Sequence, residues 1–355
     1  MSRFISEEAG RLEPYTPGEQ PVDMQYVKLN TNESPFPPSP KVVKAVSRAE
    51  LLKLNLYSDP TCGLLVRAIA KRYELKPAQV LTGNGSDELL SFAFRAFCGD
   101  GKGVAFPDIT YGFYKVWAAF YGIDAKVIPL KENFTIDVDD YMDFPGAIFI
   151  ANPNALTGVE LPIAQIQRLL EADRDRVVIV DEAYVDFGGE SCVPLLYRYD
   201  NLLVVQTFSK SRNLAGGRLG FALGSPDLIA DLNRVKYSFN PYNVNRLSIV
   251  AGTAAMEDEA YFQKCTGAIQ KTRAWITQTL KAMGFTVLPS KANFIFASFP
   301  ERFPAGALYR KLKENGILVR WFDETRIRDF YRITIGSLEQ MEQMAEEIKK
   351  MLEEM

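Results

Sequence analysis

The 355-residue chain contains no histidine. That removes the serine–histidine and cysteine–histidine nucleophile systems, the commonest metal ligand and the commonest general base. Proton transfers in an enzyme of this composition fall to Lys, Asp, Glu, Tyr or Cys. Cysteine is scarce: Cys62, Cys98, Cys192 and Cys265 lie far apart with no Cys-x-x-Cys pair. Such spacing argues against structural zinc and a disulfide scaffold, and fits a reducing cytoplasm. No apolar run is long enough to span a bilayer, and the N-terminus lacks a signal-peptide core. Charge shows little bias, with a net of −3 and basic residues spread along the chain, so nothing points to nucleic acid. Internal repeats and low-complexity tracts are absent too.

What is present is ample material for a core. Hydrophobic residues make up 47% of the chain, and its length fits one large and one smaller domain. Residues 1–40 are polar and broken by proline, and read as an arm packing on the small domain or a dimer partner. Residues 41–250 read as the large domain and 251–355 as the small one. Between residues 80 and 224, short apolar strands alternate with amphipathic helices. That alternation predicts an α/β fold with a mostly parallel sheet covered on both faces. A long helix is expected from about residue 245 to 284, then an α+β unit closed by a C-terminal helix.

The chemistry-bearing residues follow the ends of these strands. The apolar run 202–205 leads into Thr207, Ser209 and Lys210, then a small-residue loop and Arg218. A lysine on the edge of a buried strand is costly unless paired, deprotonated or covalently engaged, and one held there can form a Schiff base. Thr207, Ser209 and Arg218 stand close enough in sequence to gather round one phosphate. An ordinary strand-to-loop edge would read the same way. The turn Gly83-Asn-Gly-Ser-Asp87 opens a helix whose start favours an anion, making Gly85, Ser86 and Asp87 candidate phosphate-cradle residues. The apolar strand 177–180 ends in Asp181-Glu-Ala-Tyr184. A carboxylate there sits where open α/β sheets bind ligands. A magnesium-binding Asp-Glu pair is set aside because no Gly-x-x-x-x-Gly-Lys-[Ser/Thr] motif lies upstream.

Several strings resemble those of histidinol-phosphate aminotransferases, a subgroup of the fold-type I pyridoxal-phosphate aminotransferases. They are Tyr15-Thr-Pro-Gly-Glu-Gln-Pro21, Leu29-Asn-Thr-Asn-Glu-Ser-Pro35, Asp181-Glu-Ala-Tyr-Val-Asp-Phe187, Ser209-Lys210 with Arg218, and Tyr331-Arg-Ile-Thr-Ile-Gly336. The resemblance spans residues 15–336. It implies the fold-type I architecture, pyridoxal 5'-phosphate as cofactor and a homodimer. Lys210 would be the Schiff-base lysine, Asp181 the partner of the pyridine nitrogen, and Tyr184 the donor to the phenolate oxygen. Tyr111 would stack on the ring, and Tyr57 would reach the phosphate of the partner subunit. Asn32 and Arg332 would contact substrate, Arg332 through an anion. Arg320 reads equally as a substrate contact or a solvated strand-end charge, and the role of Asn293 is open. The chain departs from the subgroup at Asn152-Pro-Asn-Ala-Leu-Thr-Gly158, where Ala155 replaces the usual asparagine and Leu156 the usual proline. Asn154 is the expected substitute for the lost amide.

The implied reaction transfers an amino group between histidinol phosphate and 2-oxoglutarate. An aromatic-amino-acid aminotransferase and a threonine-phosphate decarboxylase are alternatives of the same family. A non-catalytic nucleotide-binding α/β module is the alternative from another class.

Overall fold

A computed structural model describes residues 3–354. The strands in chain order are β1 (Val27–Leu29), β2 (Val80–Gly83), β3 (Val104–Pro107), β4 (Ala125–Ile128), β5 (Ala147–Ala151), β6 (Val178–Asp181), β7 (Leu202–Thr207), β8 (Gly220–Gly224), β9 (Thr286–Val287), β10 (Phe294–Ser298), β11 (Ile317–Trp321) and β12 (Phe330–Thr334). They form a 7-stranded sheet, in the order β2-β8-β7-β6-β5-β3-β4, and a 5-stranded sheet, β1-β11-β12-β10-β9.

Parity organises the large sheet. Ile148, Ile150, Val178, Val180, Leu202 and Val204 pack into a core on one face. Phe149, Ile179, Leu203 and Val205 pack into another on the opposite face. Successive side chains of a strand point to opposite faces, so continuous apolar runs are what a doubly covered sheet requires. Strands β3 to β7 pair in parallel, while β8 runs antiparallel to both β7 and β2. One reversal follows from the other: β2 points the same way as β7, so both end at the same edge of the sheet.

The predicted helix over 245–284 is two helices, Arg246–Met256 and Glu259–Ala282. Asp258 interrupts them at φ −103°, ψ 65°, with its carboxylate 3.3 Å from Lys41 Nζ. The first helix packs on Pro40–Ala45 and Gly63–Arg72, and the second on β9 and the C-terminal helix Leu338–Glu353. A second departure lies in the N-terminal segment. It contributes β1, whose Val27, Lys28 and Leu29 pair in parallel with Ile317, Leu318 and Val319. Leu29 is buried in the core of the smaller sheet. The segment after β1 is thereby led across from the small sheet towards the ends of the large sheet's strands. Among the described residues no helix is long and apolar enough to cross a membrane.

Candidate active site

Register brings the inner part of the site together. Gly220, the first residue of β8, lies opposite Gly83 on one side and Thr207 on the other. The glycine turn and the lysine segment are therefore neighbours across one strand. A Cβ on Gly220 would stand 2.3 Å from Ser86 N, so only glycine lets the helix Ser86–Phe97 start this close to the sheet. Gly85 has φ +86°, and a Cβ there would meet Arg218 Nη2 at 2.7 Å. Arg218 itself is left-handed (φ 46°), which turns its guanidinium back over the helix start. Its Nη2 donates to Asp87 Oδ2 at 3.1 Å, and Tyr111 OH donates to Asp87 Oδ1 at 2.6 Å. Thr207 and Ser209 close the same cavity, of about 350 Å³. The Thr207 hydroxyl donates to Leu219 O at 3.2 Å and accepts from Ser209 N at 3.1 Å.

Asp181 lies deeper in this cavity, with 4% of its surface exposed. Its carboxylate accepts from Tyr114 OH at 3.0 Å and from Ala183 N at 3.2 Å. Both donors are neutral, and burial pushes its pKa up to about 7. A carboxylate so placed is a ready partner for a cationic group entering the cavity. Tyr111, edge-on to Tyr114 at 5.8 Å, forms one wall.

An outer cavity of about 410 Å³ meets the inner one at Thr31, Tyr111, Ala155, Tyr184 and Lys210. Lys210 Nζ donates to Thr31 O at 3.3 Å and lies 5.8 Å from the centre of the Tyr184 ring. Burial, with the positive Arg332 nearby, pulls the Lys210 pKa down to about 8. Arg332 and Arg320 face each other across β12 and β11. Arg332 donates to Ala155 O at 3.2 Å and Asn30 O at 3.3 Å, and its enclosed Nε has no partner. Arg320 donates to Thr16 O at 3.2 Å and Pro17 O at 3.3 Å, with Phe322 5.1 Å from its guanidinium carbon. Among the described residues neither arginine has a carboxylate within ion-pair distance. Two guanidinium groups that are not ion-paired among the described residues line one cavity beside a lysine whose burial favours the neutral amine, an arrangement that can receive an anion.

Residues 24–348 match the family model of aminotransferase class I and II. The chain belongs to the class I and II aminotransferases. It is 49% identical over 350 residues to a histidinol-phosphate aminotransferase of Brachyspira hyodysenteriae, covering 98% of this chain and 99% of that protein. It is 50% identical over 353 residues to one from Marinomonas sp., again covering 98% and 99%. Among solved structures it resembles histidinol-phosphate aminotransferase of Sinorhizobium meliloti in complex with pyridoxal-5'-phosphate, with TM-score 0.85, 23% identity and coverage of 93% of this chain and 92% of that one. A mutant Thermus thermophilus aspartate aminotransferase gives TM-score 0.83 at 19% identity, covering 99% and 100%. Structural likeness at these identities establishes the fold-type I architecture. Because it extends to aminotransferases of different substrates, it does not choose among them.

In this aminotransferase two sequence-predicted residues stand apart from the rest. Asn154 is buried, but its Nδ2 donates to Ile109 O at 2.8 Å and its Oδ1 accepts from Leu156 N and Thr157 N, both at 3.0 Å. Its oxygen is bonded within its own turn and its nitrogen to the Ile109 carbonyl, and the residue lines a separate hollow, not either cavity beside Lys210. The amide missing at Ala155 is not replaced from there. Tyr57 is 80% exposed and stacks on Tyr242 at 4.5 Å, away from its own chain's cavities. Three residues that sequence reasoning did not single out are Tyr114, which holds Asp181, Thr31, which holds Lys210, and Tyr15, which lines the outer cavity and stacks on Phe113 at 4.3 Å. Tyr114 stands three residues after Tyr111 in Pro107-Asp-Ile-Thr-Tyr-Gly-Phe-Tyr114 and Tyr15 opens the Tyr-x-Pro-Gly string, so both had a signal. A backbone carbonyl such as that of Thr31 carries none.

Proposed function

We propose that this aminotransferase carries pyridoxal phosphate and moves the amino group of histidinol phosphate to 2-oxoglutarate. The observation that carries the reading is the pair Arg332 and Arg320, neither of them ion-paired among the described residues, fronting Lys210 in the outer cavity. The inner cavity fits the cofactor. Gly220, where a Cβ would stand 2.3 Å from Ser86 N, lets the helix start come up to its edge, and among the described residues Asp181 has no cationic partner. The start of the helix Ser86–Phe97, with Ser209 and Arg218, would hold the phosphate, Tyr111 would cover the ring, and Lys210 would be the point of attachment. When bound, the cofactor supplies the electron sink that makes an α-hydrogen acidic.

The chain's own side chains do the rest. Asp181 holds a proton on the ring nitrogen, and its carboxylate is ionised once a cation shares its burial. Lys210, with its pKa lowered to about 8, offers a neutral amine that can take the proton from the substrate's α-carbon. The Arg332 fork binds the carboxylate of glutamate or 2-oxoglutarate in one half-reaction and the phosphate of histidinol phosphate in the other. Tyr57 supports a homodimer in which it completes the partner's phosphate site; full activity from a sedimentation-verified monomer would rule that out. The four buried free cysteines fit a reducing, cytoplasmic setting.

The purified enzyme should be offered histidinol phosphate, phenylalanine and threonine phosphate, with glutamate formation and carbon dioxide release measured. Histidinol phosphate is expected to be preferred in kcat/KM, because its doubly charged phosphate meets the two arginines where phenylalanine offers them only a singly charged carboxylate. A preference for phenylalanine, or release of carbon dioxide from threonine phosphate, would replace this reading with the corresponding alternative. Failure to take up pyridoxal phosphate at all would favour a nucleotide-binding module.

A further inference from the structure

Among the described residues, the hydroxyl of Tyr184 has one hydrogen-bond partner: Asn32 Nδ2, at 3.0 Å. An amide nitrogen can only donate, so the tyrosine oxygen accepts from it and keeps its own proton for another direction. That direction is the junction of the two cavities, which Tyr184 lines.

Asn32 is held so that its nitrogen must face the tyrosine. Its Oδ1 accepts from Thr334 Oγ1 at 3.0 Å, and the same Oγ1 accepts from Asn32 N at 3.0 Å. Its carbonyl accepts from Asn293 Nδ2 at 3.0 Å. A reversed amide would aim two donors at the Thr334 oxygen and strand that hydroxyl's proton. Asn32 is 1% exposed and sits at φ 56°, a left-handed conformation that asparagine adopts more readily than most residues. Thr334 ends β12, and Asn293 precedes β10, so the small sheet fixes the amide and the amide fixes the tyrosine. Ala155 offers no side-chain donor at the junction, and the Asn154 amide is spent elsewhere. The direction of Tyr184's proton therefore matters more here than it would beside an asparagine.

We propose that Asn32 is a positioning residue for Tyr184 rather than a substrate ligand, setting the tyrosine as a hydrogen-bond donor towards the cofactor's phenolate oxygen. This rests on the cofactor reading above. The charged groups facing Tyr184 are Lys210, Arg332, Asp181 and Asp87, and the variants below leave all four in place.

The test is the pH titration of the absorbance of the protein loaded with pyridoxal phosphate. A donor on the phenolate oxygen stabilises the anion, so losing the donor makes the chromophore hold its proton to higher pH. Asn32→Ala should raise the midpoint by about half to one pH unit, the size of one hydrogen bond. Asn32→Asp keeps the shape and the left-handed backbone but presents only acceptors to the tyrosine, capturing its proton, and should raise the midpoint at least as far as Tyr184→Phe. Adding Asn32→Ala to Tyr184→Phe should move the midpoint no further. Equal and independent shifts from the two substitutions would overturn the proposal. So would unchanged midpoints in both Asn32 variants with a raised KM, the behaviour of a substrate ligand. A protein that takes up no cofactor refutes the functional reading itself and this inference with it, whereas normal uptake with an unmoved midpoint refutes only the role of Asn32.

Discussion

Arg332→Met removes a guanidinium that no carboxylate neutralises, and its effects on activity and on stability are expected to part company. On the side of activity, the lost fork would, on the proposed reading, make two charge-assisted hydrogen bonds to a substrate anion, each worth about 1.5–3 kcal/mol. At about 1.4 kcal/mol per decade, kcat/KM should fall by roughly 10²–10⁴. On the side of stability, the folded protein loses two charge-assisted bonds, to Ala155 O and Asn30 O, together worth about 3–6 kcal/mol. It also sheds a cation whose Nε is enclosed and unpaired, whose desolvation costs several kcal/mol when complete and less for this partly buried side chain. These oppose, so the urea midpoint should fall by much less than the activity does, with the methionine filling the space of the arginine stem. Arg332→Lys, which keeps the charge and loses the fork, should fall between. Arg320→Met should cost less activity, because that guanidinium is more open to water. The assays are steady-state kinetics in both half-reactions and equilibrium unfolding of the same preparations. An Arg332→Met protein that loses stability in step with activity, or keeps kcat/KM within tenfold, would refute the assignment of Arg332 as the anion-binding group.

Further outcomes follow from the buried charges and the packing. Burial holds the Asp181 pKa at about 7, raised above its ordinary value, so the cofactor-free folded protein carries a proton that the unfolded chain has lost by pH 5. Its contribution to stability is therefore complete at low pH and lost as pH climbs to about 7. Asp181→Asn should flatten that part of the urea-midpoint profile, and identical slopes in the two proteins would contradict it. For Lys210 the pKa is lowered to about 8, so the rate of pyridoxal phosphate uptake should rise through pH 8 and level off above it. A rate still climbing at pH 10 would point to an ordinary surface lysine. In Gly220→Ala the new Cβ would stand 2.3 Å from Ser86 N and 2.6 Å from Gly85 C, both backbone atoms that must shift. Overpacking of that kind costs about 1–3 kcal/mol, and here it should also weaken cofactor affinity; a dissociation constant within twofold of the parent would count against the cradle.

The parts of this architecture legible in the sequence are those with a local physical signature. Continuous apolar runs at 147–151 and 202–205 announce strands buried on both faces, and the structure sorts their side chains into two cores by parity. Polar residues just beyond such runs converge because parallel strands end at one edge, which is how Asp181, Thr207 and Lys210 could be grouped before any coordinates. The reversal of β8 was not legible, since composition does not encode strand direction; only the pairing of Gly220 with both Gly83 and Thr207 reveals it. The break at Asp258 was missed because apolar periodicity resumes on the far side, and β1 because three residues are too few to show alternation.

Asn154 and Asn32 show where the boundary of legibility lies. Both are buried asparagines near the site, and from sequence Asn154 was the natural stand-in for the amide missing at Ala155. An asparagine followed by a turn, however, tends to bond its own backbone, and Asn154 does so at Leu156 N and Thr157 N. The use of its oxygen could have been foreseen from local rules, whereas its nitrogen, the donor the site needed, goes to Ile109 O, 45 residues away. Asn32 makes its decisive contacts with Tyr184 and Thr334, 152 and 302 residues away, and nothing nearby in the chain signals either. A side chain whose partners are all long-range acquires a role only when tertiary structure supplies its neighbours. For that reason its string near the arm could be matched, while what it does at Tyr184 had to come from geometry.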